Sequence, residues 1–390
     1  MTGRQRPGGF IAGFAAGVVV AVAVAALVIA IEGGGSDLVS QAREAIRDDY
    51  FKPVNSSALE DASVDGMVRA LRHRYDDRFS HYLDPHELAQ FESATSGRFS
   101  GVGLTVSGVR RGLRVATVLP DTPAERAGIE KGDLITAVDG RSLAGVPAEI
   151  STARIKGPSG TRVTLRVVSE PGHRSRDVHL KRASVHVPVA MGKITRTGGR
   201  KVAYVRYLSF NQGSHGELAS TLEGLYRRGA EGAVLDLRGN GGGLLSEAVL
   251  SASLFLPKGQ LVVSTESRTM GNRDYDAVGD ALKRHPTVVL IDHGTASAAE
   301  ILASALRDHG LARIVGTRSF GKGTFQEVIR LAAGGALDLT VGQYLTADGI
   351  SLAGKGIKPD VRAADDPKTP GDEALRRALA VLAPRLANAR

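Results

Sequence analysis

Ser297 closes an apolar run, in Asp292-His293-Gly294-Thr295-Ala296-Ser297-Ala298-Ala299-Glu300, and Lys322 lies between glycines in Phe320-Gly321-Lys322-Gly323-Thr324-Phe325-Gln326. A serine hydroxyl is a poor nucleophile until a neighbour takes its proton, and a neutral lysine amine can be that neighbour. Neutrality near pH 7 means a fall from a reference pKa of about 10.4, through desolvation or placement among neutral donors. Gln326 follows four residues on in an extended run, so it faces the same side of a strand as Lys322. It could orient the amine without adding a negative charge. Each residue also has an ordinary reading: Ser297 as a helix N-cap in a capping box with Glu300, and Lys322 as a solvated turn residue.

A third segment supplies what such a pair needs. Asp236-Leu237-Arg238-Gly239-Asn240-Gly241-Gly242-Gly243-Leu244-Leu245 joins a strand to a helix through small residues, a loop able to aim backbone N–H groups at one developing negative charge. A phosphate cradle is disfavoured because no Lys-Ser/Thr follows the glycines. Asp292 and His293 raise a Ser-His-Asp arrangement. Neighbours in a strand face opposite ways, however, which opposes a hydrogen bond between them. No His-Glu-x-x-His or similar metal-ligand pattern occurs, and with no cysteine in the chain, thiolate and disulfide chemistry are excluded.

The positioning elements follow from periodicity. Residues 37–50 and 63–75 carry apolar side chains at helical spacing, and a further helix is expected over 85–94. From 97 to 184 the texture changes to short β-rich runs at 102–106, 113–118, 134–138, 162–168 and 177–181, with a short helix at Thr122-Pro123 to Gly128. From 185 strands and helices alternate: strands at 201–208, 232–237, 287–291 and 312–316, helices at 216–228, 245–255 and 297–309. That order predicts an α/β layer with parallel pairing, whose chemistry lies beyond the carboxyl ends of the strands.

The amino terminus points to a membrane. Arg4 and Arg6 precede an uncharged apolar run over 10–31, which at about 1.5 Å per residue reaches roughly 33 Å. Positive residues before the run predict a cytoplasmic tail over 1–9 and everything after the run outside, a single-pass signal-anchor. The alternative is a secreted protein released by signal cleavage at the Ala21-Val22-Ala23 or Ala23-Val24-Ala25 patterns. The net charge of +9 is spread in short basic pairs with acidic residues between them and no aromatic interleaving, so no nucleic-acid partner is expected.

Two resemblances build on these residues. Gly101-Val102-Gly103-Leu104, the Pro123 to Gly128 turn and Gly132-Asp133-Leu134-Ile135-Thr136-Ala137-Val138-Asp139-Gly140 resemble a PDZ domain. That implies capture of an apolar free C-terminus beside the Gly101, Val102, Gly103 and Leu104 loop. Nearly the whole chain after the apolar run resembles the carboxyl-terminal processing peptidases, or tail-specific proteases. The resemblance runs in order through Asp76 to Leu83, the glycine loop, the Ser297 and Lys322 segments and Gly349-Ile350-Ser351-Leu352-Ala353-Gly354-Lys355-Gly356-Ile357-Lys358-Pro359-Asp360-Val361. It implies an α/β, multi-domain chain: a helical domain over 37–96, a PDZ domain over 97–184, a ClpP/crotonase-like peptidase core over 185–364 and a helical segment over 365–390. It further implies Ser297 as nucleophile, Lys322 as general base, Gln326 as its orienting partner, and the N–H groups of Gly243 and Ala298 as an oxyanion hole. No metal or other cofactor is implied. The implied partners are protein or peptide substrates, the membrane, and further copies of the chain through helical ends. In this family the PDZ module commonly caps or gates the active site.

Overall fold

The computed structural model describes residues 38–96, 98–169, 174–279, 281–332, 334–365 and 371–388. The apolar run at 10–31 and the tail before it lie outside them. Among the described residues, no helix is long and apolar enough to cross a membrane. The chain divides after Tyr82 into a small helical unit and a larger one.

In the small unit, helices span Leu38–Asp49 and Ser56–Tyr75. The second starts earlier than the spacing at 63–75 predicts, because the Asn55 side chain accepts the Ser57 N–H and caps the helix there. Its end is set by Asp76 in the left-handed conformation.

The larger unit opens with the helix Pro85–Thr95, followed by the β-rich segment. There an antiparallel sheet runs in the order Leu104–Val109, Gly112–Val118, Leu134–Val138, Arg162–Val168, Ser175–Lys181. Alternate residues Val163, Leu165 and Val167 point into a core shared with Leu113, Ile135, Leu143 and Ile155. The helix Ala148–Ile155, absent from the sequence expectation, packs over this sheet and supplies Ile155. It follows Pro147 and has no side-chain cap, so the usual signal for a helix start is missing.

The peptidase-like part is a six-stranded sheet in the order Ala190–Thr197, Arg200–Tyr207, Gly232–Asp236, Thr287–Ile291, Ala312–Gly316, Val361–Arg362. The first pair is antiparallel and the others parallel. Its central strands Gly232–Asp236 and Thr287–Ile291 are buried at every position because both faces are covered. Ala233, Leu235, Val289 and Ile291 face the helices Ser214–Arg227, Leu245–Ser253 and Ala298–Asp308. Val234, Val288, Leu290 and Val315 face Ala374, Ala378, Leu382 and Leu386 of the helix Glu373–Ala387. A second, antiparallel sheet, not foreseen from periodicity, is built on the long strand Ala336–Thr346. Thr324–Arg330 pairs with one stretch of it and Leu261–Glu266 with the other, and Arg273–Asp276 extends the latter.

Candidate active site

Three loops converge past the carboxyl ends of the parallel strands: Leu237 to Leu244 after Gly232–Asp236, Asp292 to Ser297 after Thr287–Ile291, and Thr317 to Gly323 after Ala312–Gly316. They are stitched by main-chain bonds. The Ala296 N–H donates to the Asn240 carbonyl (2.9 Å) and the Phe320 N–H to the Thr295 carbonyl (2.9 Å). Asp292 Oδ1 accepts from the Gly239 N–H (2.8 Å) and the Gly294 N–H (2.9 Å), so this carboxylate shapes the loops. His293 beside it is exposed, with its ring 5.6 Å from that of Phe320.

Ser297 occupies φ 56°, ψ −122° immediately before the helix Ala298–Asp308. Such backbone costs a side-chain-bearing residue about 1–3 kcal/mol, and it turns the side chain out of a sharp strand-to-helix bend. The capping box read from the sequence forms between Ser297 and Glu300. The Ser297 N–H donates to Glu300 Oε2 (2.9 Å), and the Glu300 N–H is also within reach of the Ser297 carbonyl (2.8 Å).

Glu300 does far more than cap. Fully buried, its Oε2 also accepts the Lys322 N–H (3.0 Å), and its Oε1 accepts the Gly321 N–H (2.8 Å) and the Ser319 hydroxyl. One carboxylate oxygen therefore holds the amides of Ser297 and Lys322 within about 6 Å of each other. Ser319 passes the bond on, its Oγ accepting the Ile357 N–H (2.6 Å) from the Gly354 to Pro359 segment, which lies against the lysine loop.

Lys322 is half-buried. Burial pushes its ammonium below the ordinary lysine pKa, and the negative charge of Asp338 opposes that shift. Gln326 stands across the strand pair from Thr340, and its amide donates to the Thr340 hydroxyl (3.0 Å). Asp338 is two residues from Thr340 on the same strand, and so on the same face as the Gln326 side chain.

In the glycine loop, Asn240 is fully buried. Its amide donates to the Tyr207 carbonyl (2.8 Å) and its Oδ1 accepts the Gly242 N–H (2.9 Å). Gly242, at φ 100°, backs directly onto the serine turn: a Cβ there would sit 2.8 Å from Ser297 Cβ and 2.9 Å from the Ala298 nitrogen. Gly243 pairs with Phe210 in a single parallel bridge, in which Phe210 bonds to Gly242 and Leu244, leaving the Gly243 N–H facing the other way. Among the described residues, neither the Gly243 nor the Ala298 N–H has an acceptor. No group of three or more potential metal-ligating side chains occurs among them either.

In the β-rich segment, Gly101, Val102, Gly103 and Leu104 border a cleft whose other wall is Thr152, Ile155 and Lys156 of the neighbouring helix and its end. Gly103 at φ 88° backs onto Thr122, whose Cβ would lie 2.2 Å from any Cβ added there, so only glycine fits. Leu104–Val109 is the outer strand of its sheet, with an open edge along the cleft.

A PDZ-like module with an open edge, joined to an α/β core with a strained serine turn, defines a class of two-part serine peptidase. The comparisons agree. Residues 90–168 match the PDZ domain profile and residues 201–363 match peptidase family S41. The chain is 33% identical to the carboxy-terminal processing protease CtpA of Bacillus subtilis (strain 168), over 84% of this chain and 68% of that one. It is 35% identical to a probable CtpA-like serine protease of Staphylococcus aureus (strain MRSA252), over 85% of this chain and 65% of the relative. Among solved structures, the photosystem II D1 C-terminal processing protease superposes with a TM-score of 0.50 at 31% identity, covering 88% of this chain and 90% of that one. The chain belongs to the S41 carboxyl-terminal processing serine proteases and carries a PDZ domain.

Proposed function

We propose that the protein is a membrane-anchored, extracytoplasmic endopeptidase that takes substrate C-terminal tails on its PDZ domain and cleaves peptide bonds with Ser297, Lys322 and Gln326. The observation that carries this reading is the strained Ser297 turn, which shares Glu300 Oε2 with the Lys322 loop. In the reaction, neutral Lys322 takes the Ser297 proton as Oγ bonds to the peptide carbonyl carbon. The carbonyl oxygen becomes an oxyanion held by the Gly243 and Ala298 N–H groups. Lys322 then gives the proton to the leaving amine, and water repeats the cycle on the acyl-enzyme. Gln326, itself tied to Thr340, orients the amine without charging it.

The open edge of Leu104–Val109 supports strand addition by a substrate tail, its carboxylate at the Gly101 to Leu104 loop. The apolar run at 10–31 supports the anchor, and self-association through the helical ends completes the reading. The test is cleavage of an unstructured polypeptide with an apolar C-terminus. Cleavage lost in both Ser297→Ala and Lys322→Ala, and slowed when the tail is amidated, is the expected result. Equal cleavage of free and amidated tails would remove the PDZ role. Activity surviving Lys322→Ala but lost in His293→Ala would replace the lysine base by a histidine.

A further inference from the structure

The helix Leu38–Asp49 turns its polar side, not its apolar one, toward the rest of its unit. Ser40 and Arg43 are its only half-buried residues, and Arg43 reaches the helix Ser56–Tyr75 through an ion pair with Glu60 (2.7 Å). At 3.6 residues per turn, Leu38, Ala42, Ala45 and Ile46 fall together on the opposite side, and all four are exposed. Asp49 is the one charge on that side, at the end of the helix. Beyond it come Tyr50 and Phe51, 53% and 77% exposed, with their rings edge to face and 4.9 Å apart. The Lys52 ammonium lies 5.0 Å from the centre of the Phe51 ring.

A helix of a soluble domain buries such a stripe against its own core. This one is left for an outside partner, and the sequence places one within reach. Only Glu32-Gly33-Gly34-Gly35-Ser36-Asp37 separate the apolar run at 10–31 from Leu38, and six residues span at most about 20 Å even when fully extended. A helix on so short a tether to a membrane-spanning segment stays at the bilayer surface. Aromatic rings beside a lysine suit the headgroup level, where an apolar body sits in lipid and a polar tip in water. Arg43 and Arg47 are offset by Glu44, Asp48 and Asp49, so the attraction is to apolar lipid rather than to anionic headgroups.

We propose that Leu38–Asp49 lies flat on the extracytoplasmic leaflet, with Leu38, Ala42, Ala45, Ile46, Tyr50 and Phe51 sunk into the boundary between headgroups and acyl chains. Its polar side then carries the helix Ser56–Tyr75 on the water side, which leaves self-association to other helical surfaces.

The inference rests on the proposed anchor at 10–31, and the experiment separates the two. The chain has no cysteine, so single-cysteine variants of the full chain carry one label each. Ala42→Cys and Ile46→Cys on the apolar side, and Glu44→Cys on the flank, are labelled with bimane and reconstituted in phosphatidylcholine vesicles with brominated acyl chains. Retention through an alkaline carbonate wash reports the anchor independently. The expected result is retained protein whose labels at Ala42 and Ile46 are quenched about twofold or more by the brominated lipid, and whose label at Glu44 is quenched much less. Retained protein with all three labels quenched alike, or none, overturns the surface helix and leaves the anchor standing. Protein released by the wash removes the anchor and the inference with it. Disulfide cross-linking of unlabelled Ile46→Cys between copies in the vesicles, with no quenching of a label there, would show that a second copy covers this face and would also overturn the inference.

Discussion

Replacing Glu300 by glutamine tests how the catalytic loops are held. Its two carboxylate oxygens accept four donors, Oε1 from Ser319 and Gly321 and Oε2 from Ser297 and Lys322. A glutamine keeps one oxygen; with that oxygen toward Ser297 and Lys322, its NH2 group faces the Gly321 N–H, and only the Ser319 hydroxyl can turn to accept from it. At about 1.5–3 kcal/mol for a bond to a charged group, and about as much again for the charge withdrawn from the other donors, the change amounts to about 3–6 kcal/mol. Full burial leaves no solvent to compensate. For a unit of this size that is a fall in Tm of roughly 10 °C, measured by scanning calorimetry. Activity should fall further than stability explains, by about 10²-fold in kcat at a temperature where the variant is folded, because the serine turn and the lysine loop lose their shared anchor. A Glu300→Gln protein with wild-type kcat and a Tm within about 2 °C of wild type would refute the argument.

Two further substitutions probe charge. Asp338 holds the Lys322 pKa up against burial, and the base works only when neutral, so activity is lost on the acid side. Asp338→Asn should therefore move the acid limb of the kcat/KM profile to lower pH, and an unmoved or upward-shifted limb would count against Lys322 as the base. Arg238 is bonded to the buried Asp236 and to Asp365 and Asp372, the last being the N-cap of Glu373–Ala387. Arg238→Ala strands the Asp236 carboxylate and should cost about 3 kcal/mol by urea unfolding, whereas a loss below about 1 kcal/mol would show the cluster to be energetically idle.

Much of the core was legible because its strands are buried on both faces. Val288 to Ile291 reads as an unbroken apolar run and Ala312–Gly316 as one interrupted only by Arg313, and both strands fall where that pattern puts them. The second antiparallel sheet was not legible. Ala336–Thr346 is half-buried along most of its length, without the clean alternation that marks a strand with one wet face. Glu300 was visible, but only as a cap, since sequence spacing gives the local bond to Ser297 and not the long-range bonds to Ser319, Gly321 and Lys322. The helix Ala148–Ile155, one wall of the peptide cleft, lacked any capping residue to announce it.

The Ser297 and Lys322 pair is tested most directly by trapping the acyl-enzyme. The protein is mixed with a slowly deacylating peptide ester, quenched in acid and digested, and the adduct is located by mass spectrometry. The account predicts one stoichiometric acyl group on Ser297 in the wild type and none in Lys322→Ala at the same pH and time. An adduct on another residue, or undiminished acylation of Ser297 without Lys322, would contradict it.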